Sequence, residues 1–152
     1  MTAGLTLRPL LASDQAAWRG LWLQYLDFYE TTLAVDVFET AFARLISPDA
    51  REFSGLLALS NDVAVGLAHY LFHRNLWALE DTCYLMDLFV TPNLRGQGVG
   101  RALIHSVQDR AQNSGTKGLY WMTQEFNTPG RRLYDTIAQK SDFIVYEMPD
   151  RL

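Results

Sequence analysis

The chain has 152 residues, 49% of them hydrophobic and 12% aromatic, which suits one domain with a sizeable core and excludes a disordered segment. Its apolar runs are too short to span a membrane, no basic-then-apolar leader opens it, and a single cysteine, Cys83, rules out an internal disulfide. The net charge of −4 argues against nonspecific nucleic-acid binding, so the composition predicts a soluble, cytoplasmic protein.

A short strand, Leu5 to Pro9, opens the chain. Ser13 or Asp14 then offers a cap for a helix reaching about Glu30. On it Trp18, Leu21, Trp22, Tyr25, Leu26 and Tyr29 recur at the spacing of one apolar face. A second helix, about Asp36 to Ile46, buries Phe38, Ala41, Phe42, Leu45 and Ile46 and stops before Pro48. Strands at about Phe53 to Leu59 and Val63 to His73 are joined through Asn61-Asp62 in a hairpin. Cys83 to Val90 reads as a further strand, and Gly98 to Ser114 as a helix ending at Gly115. A strand from Gly118 to Thr123, a helix from Pro129 to Ala138 and a last strand from Phe143 to Met148 complete the order. No repeat or linker interrupts it, which predicts one domain over residues 5–148, a mixed α/β sheet flanked by about four helices.

The most informative stretch joins the strand ending at Val90 to the following helix. It carries Arg95 and three glycines at alternate positions, Gly96, Gly98 and Gly100. The first N–H groups of a helix lack internal partners and sit at the positive end of its dipole, so a phosphate docks there when no side chains intervene. A dinucleotide fingerprint needs a third glycine at 101 or 103, where Arg101 and Leu103 stand. A nucleotide P-loop needs Lys and then Ser or Thr after the last glycine, where Arg101 and Ala102 stand. What remains is Arg-x-x-Gly-x-Gly, met as Arg95, Gly98 and Gly100. It resembles the acyl-CoA pyrophosphate loop of the GNAT superfamily of N-acetyltransferases; the alternative is a glycine turn that only lets helix and strand pack closely. A second segment, Tyr120 to Asp135, resembles another part of the same superfamily, in which Asn is followed seven residues later by Tyr, here Asn127 and Tyr134. Within the superfamily, the strand around Asp87 most resembles the polyamine (spermidine/spermine) and histone-acetyltransferase-like branch.

The resemblance implies an N-acetyltransferase that moves acetyl directly from acetyl-CoA to a primary amine, polyamine-like or lysine-type. It implies main-chain contacts to the pantetheine arm from Leu88, Phe89 and Val90, with an N–H there, taken at Leu88, facing the oxyanion. Phosphate contacts fall to Arg95, Gly96, Gln97, Gly98, Val99, Gly100 and Arg101, chiefly through backbone N–H. Asn127 would bond the pantetheine and Tyr134 would protonate the sulfur, although Asn127 also suits a helix cap and Tyr134 a helix core. An amine attacks only as the neutral base, and an aliphatic ammonium with a pKa of ~10.4 needs a proton acceptor. The polyamine branch has Glu where this chain has Met86, and methionine accepts no proton. Asp87 is adjacent but should face the other side of the strand, leaving structural or electrostatic work for it. Glu80, Asp81 and Glu125 offer carboxylates that relay through water. His69 and His73 share a face with Leu67 and Leu71, as core or as a base.

Residues 91–134 hold six basic side chains against two acidic, a balance of +4 that leaves −8 elsewhere. That polarity suits a polyanionic cosubstrate and a cationic acceptor. The acceptor's charge would meet Asp27, Glu30, Asp36 and Glu39, with Met86 lining its site. No metal site, nucleic acid or membrane is expected; a homodimer is, from exposed aromatics and the last strand. A catalytically silent acyl-CoA-binding or sensing module is the competing reading, motivated by Met86.

Overall fold

The computed structural model describes residues 3–150, in two compact units, one ending at Trp121 and one beginning at Met122. The first holds strands β1 (Leu5–Pro9), β2 (Ser54–Ser60), β3 (Val63–His73), β4 (Thr82–Val90) and β5 (Gly118–Trp121). They lie side by side in chain order, antiparallel up to β4 and parallel between β4 and β5. Helices α1 (Gln15–Phe28), α2 (Val35–Leu45) and α3 (Val99–Asn113) belong to the same unit, and α4 (Thr128–Ile137) to the second. The mixed sheet and the four helices match the expectation. Among the described residues no helix is long and apolar enough to cross a membrane.

The sheet is covered on both faces, as its sequence requires: Leu56, Leu57 and Ala58 are consecutive in β2 and all fully buried, which an alternating strand permits only when each face is packed. On one face, Trp18, Leu21 and Leu26 of α1 and Phe38, Phe42 and Leu45 of α2 close over Leu57, Leu67 and Phe89. On the other, α3 lies on β2, β3 and β4, burying Val99, Leu103, Val107 and Ala111 at four-residue intervals. The β2–β3 hairpin turns through Asn61 and Asp62 at φ 49° and 66°, the two left-handed residues that a tight two-residue hairpin demands.

Two expectations fail for physical reasons. Ile46 stands just past the end of α2 as its cap and is exposed, because the chain leaves the helix before Pro48. Residues 143–148 form no strand, and Phe143, Ile144, Val145, Tyr146 and Met148 are exposed. Strand propensity becomes a strand only where another edge takes its hydrogen bonds, and no described strand pairs with this segment.

The start of α1 is tied down by charge. Asp14 is buried, takes Arg8 through both carboxylate oxygens at 2.6 and 2.9 Å, and accepts the Leu11 N–H at 2.7 Å. Asp14→Asn should therefore lower the urea-unfolding free energy by about 1–2 kcal/mol at pH 7. The hydrogen bond from Arg8 holds the Asp14 carboxyl below its ordinary range. Its contribution is full above the unfolded carboxylate value of ~3.9 and is lost as pH falls through the lower folded value. Wild type and variant should converge in strong acid, as urea midpoints taken down the pH scale will read.

Candidate active site

The site begins with the phase of the β3–β4 ladder. Thr91 N–H donates to Val65 O at 2.8 Å. The register pairs Leu67 with Phe89 and Ala68 with Leu88. Hydrogen-bonded and non-bonded pairs alternate in an antiparallel ladder. Val65/Thr91, Leu67/Phe89 and His69/Asp87 are thus the bonded pairs, and Leu88 and Val90 turn their N–H and C=O away from β3, toward the β5 side. There β5 stops short: its last rung with β4 is Leu85–Trp121. Leu88 therefore presents both main-chain groups, and Val90 its N–H, to an edge that no strand of the sheet pairs. Phe89 is a correction, since its N–H and C=O face Leu67 and its ring is core.

Met86 explains why the strands part where they do. His69 pairs with Asp87 and Tyr70 with Leu85, so Met86 is an extra residue in β4, a bulge. Bulges bend a strand and increase its twist, and this one directly follows the last β4–β5 rung. It also overturns simple alternation. Directly opposed residues share a face, so Tyr84, Asp87 and Phe89 lie with Leu71, His69 and Leu67 on the α1 side. Met86 itself is 50% exposed.

Beyond Val90, a single 3-10 turn, Pro92–Leu94, leads into the glycines. Gly96 and Gly98 sit at φ 76° and 87°, and a Cβ built on either meets nothing within 4 Å. Both features favour glycine: the left-handed backbone disfavours a side chain, and the open space keeps the amides bare. Gly98 is the N-cap of α3, whose first internal bond is Ala102 N–H to Gly98 O at 3.0 Å. The N–H groups of Val99 and Gly100 precede that bond and lack an intrahelical acceptor. Arg95 departs from its expected part. Its N–H donates to Pro92 O, its Nε donates to Val90 O at 3.0 Å, and its guanidinium lies over Phe28 and Phe89 at 5.6 and 5.7 Å. It thus braces the loop against the end of α1.

On the α1 face a buried polar network meets β4. Trp18 Nε1 donates to His69 Nε2 at 2.8 Å, and an indole can only donate. The His69 proton is therefore on Nδ1, where it reaches Asp87 Oδ2 at 3.0 Å, while Tyr25 OH donates to Asp87 Oδ1 at 2.9 Å. His69 has no lone pair left for a substrate, and each oxygen of Asp87 already accepts a proton donor. Burial, together with the Asp87 charge, pushes the Tyr25 hydroxyl well above the ordinary tyrosine range, so it stays a donor. Farther along this face, His73 Nδ1 lies 2.8 Å from Arg74 O and its Nε2 2.9 Å from Tyr120 OH. The Tyr120 ring stacks on Tyr84 at 4.8 Å. Tyr25, Tyr84 and Tyr120 were not singled out as polar groups from sequence, because an aromatic at core spacing gives no sign of what its hydroxyl meets.

The remaining candidates fall into place separately. Asp27 is exposed near the end of α1, and Asp36 is exposed in the first turn of α2, where Oδ1 accepts Val37 N–H at 3.0 Å. Glu30 stands just past α1 at φ 52°, where Glu30 N–H to Asp27 O and Thr31 N–H to Leu26 O close the helix at 2.9 and 3.0 Å. Glu80 and Asp81 pair with Lys117 and Arg74, each at 3.1 Å. Burial lifts the Cys83 thiol to about 11, which makes it an ordinary core residue. In the second unit Asn127 caps α4: its Oδ1 accepts Gly130 N–H at 3.3 Å and its Nδ2 donates to Thr123 Oγ1 at 2.9 Å. Tyr134 lies within α4.

The chain matches the acetyltransferase (GNAT) family over residues 15–137. It is similar to the D-amino-acid N-acetyltransferase HPA3 of Saccharomyces cerevisiae, 37% identical over 145 residues, which is 94% of this chain and 89% of that protein. It is also similar to thialysine N-epsilon-acetyltransferase of Mus musculus, 32% identical over 72 residues, 47% of this chain and 42% of the other. Among solved structures, the aminoglycoside acetyltransferase AAC(6')-Iy with a CoA-containing bisubstrate analog superposes with a TM-score of 0.83 at 20% identity, covering 97% of this chain and 99% of that one. Ribosomal-protein-alanine N-acetyltransferase from Brucella melitensis gives 0.80 at 20% identity over 96% and 99%. These last two likenesses speak to the fold.

His69→Leu should cost about 2–4 kcal/mol in urea unfolding, because it strands the Trp18 N–H and removes a donor from Asp87. Tyr25→Phe touches the same carboxylate, so the double variant should depart from additivity by more than ~0.5 kcal/mol; additive losses would show that the three side chains are not one network.

Proposed function

The chain belongs to the GNAT acetyltransferase family, and from that premise we propose that it transfers acetyl from acetyl-CoA to the primary amine of a small amino-acid-like acceptor. Acetyl-CoA supplies the acyl group as a thioester, already activated. The observation that carries the reading is the continuity of β4 with the glycine turn: an unpaired main-chain edge at Leu88 and Val90 runs straight into bare amides at the start of α3. An anion at that helix start meets the positive end of the dipole. An extended amide-bearing arm can bond the strand edge as another strand would. The N–H of Leu88 then offers charge stabilisation where a carbonyl oxygen gains electron density.

Other roles rest on the sequence resemblance. Tyr134 gives a proton to the departing sulfur, supported by its seven-residue spacing from Asn127. Asn127, its carbonyl oxygen engaged in the α4 cap, serves the pantetheine arm through the second hydrogen of its amide nitrogen. Asp87 acts electrostatically, and Asp27, Glu30, Asp36 and Met86 border the acceptor. The choice of an amino acid follows the relatives, named for D-amino acids and for thialysine; polyamine-like and lysine-type amines, the branch its strand resembles, share the same chemistry. The same proposal takes residues 5–148 as one catalytic domain, since the family match crosses Trp121. It also takes the protein as a cytoplasmic homodimer, supported by the exposed Leu76, Trp77 and Leu79 between β3 and β4.

Calorimetry should show acetyl-CoA binding. CoA release over D- and L-amino acids, lysine, polyamines and aminoglycosides should be fastest with an amino acid; preference for a polyamine would overturn the acceptor assignment, and binding without transfer would favour the silent module. Gly98→Ala should weaken acetyl-CoA binding about tenfold, because a left-handed alanine costs roughly 1–2 kcal/mol and its methyl group covers the amides. Tyr134→Phe should lower kcat at least tenfold and leave that binding unchanged.

A further inference from the structure

Met86 stands where the branch that this strand resembles carries Glu, so the amine lacks a proton acceptor there, and the buried network does not replace it. Asp87 is held by Tyr25 and His69 with its side chain 11% exposed. His69 has both ring nitrogens engaged. The opposite holds one turn of the pleat away. Arg74 O is an acceptor only, so the His73 proton sits on Nδ1 and the lone pair of Nε2 receives the Tyr120 hydroxyl at 2.9 Å. The pair is fixed by two strands at once, His73 ending β3 and Tyr120 lying in β5 against Tyr84 of β4. Tyr120 is 43% exposed, on the same α1 side of the sheet as Asp87. It stands one rung before β4 and β5 part.

We propose that Tyr120 and His73 are the proton-accepting relay for the acceptor amine. This rests on the reading that the thioester lies along the free edge at Leu88. From the Tyr84–Tyr120 rung to Leu88 is roughly 13 Å along the strand, less what the Met86 bulge takes up, a span that the amine and a short chain of waters bridge. The ammonium N–H passes its proton through those waters to Tyr120 Oη, while the Tyr120 hydroxyl proton moves to His73 Nε2. The result is a neutral amine and an imidazolium. The amine lone pair then forms the C–N bond and the C–S bond breaks; the sulfur takes the Tyr134 proton and leaves as CoA thiol, the second amine proton passes through solvent to restore Tyr134, and His73 later returns its proton to water. Tyr120 is the end of the relay that faces the substrate through water, and His73 acts through it. The ionisable groups around His73 are Tyr84 and Tyr120 from the neighbouring strands, with the Arg74–Asp81 and Glu80–Lys117 pairs in the adjoining turns.

The test compares wild type, His73→Gln, Tyr120→Phe and the double variant, measuring kcat/KM from about pH 6.5 to about pH 11, past the ~10.4 of an aliphatic ammonium, and acetyl-CoA affinity by calorimetry. Each single variant should lose on the order of 100-fold at pH 7, and less than about threefold at pH values where the acceptor amine is already mostly neutral. The double variant should be no slower than either single one. Acetyl-CoA affinity should stay within about twofold. A loss of equal size at every pH, additive losses, or no loss would overturn the relay; Tyr120→Phe keeps the ring stack and so serves if His73→Gln folds poorly. Failure of the wild-type chain to bind acetyl-CoA would instead overturn the functional reading, and calorimetry reads that separately.

Discussion

One backbone hydrogen bond sets the chemistry of this molecule. Thr91 N–H to Val65 O places every second residue of β4 in the ladder with β3 and turns Leu88 and Val90 the other way. In a fully paired sheet that orientation would be spent on the next strand. Here the extra residue at Met86 bends β4 immediately after its last contact with β5, and main-chain donors and acceptors reach the edge. Unpaired groups inside a sheet are costly unless something takes their bonds, so this strand edge is a place the fold itself makes receptive. No side chain is required to create it, and that is why Leu88 can be an ordinary half-buried residue.

The α1 face shows how a core and a site can be one object. Trp18 fills the space between the sheet and α2, its ring tilted against Phe42 with centroids 5.2 Å apart, yet its indole nitrogen orients His69, which orients Asp87. Tyr25 completes the carboxylate from two turns farther along the helix. A buried carboxylate with every bond made is tolerable, whereas one missing a donor is not. The helix that covers the sheet therefore also determines the direction of a charge beside the strand edge. Arg95 adds a second tie, stacked on Phe28 at the far end of the same helix.

Much of this was legible in the chain. The glycines and the apolar helix after them announced a helix start with bare amides, because both follow from residue type, whereas the stacking of Arg95 on Phe28 and Phe89 did not show in the spacing. The Asn61-Asp62 hairpin and the apolar stripe of α1 were readable for the same reason: local chemistry decided them. The bulge was not, because an added residue breaks the twofold period only once its partner strand is in place; it sets Tyr84 on the face of Asp87, where simple alternation would have put Leu85. Asn127 carried two meanings in sequence, and the structure engages it in the cap. Phe143 to Met148 shows the remaining limit: its composition suits a strand, but a strand is a relation between two segments.

Glu30 closes α1 in a left-handed conformation that suits glycine better. A glycine there would relax the turn by roughly 1 kcal/mol; the glutamate carries that penalty and gains a rigid attachment in return. Its Cα is held by the hydrogen-bonded turn instead of a loose connection, so the flexible side chain swings from a fixed root, and lengthening the α1–α2 connection beyond Thr31 would leave that root untouched.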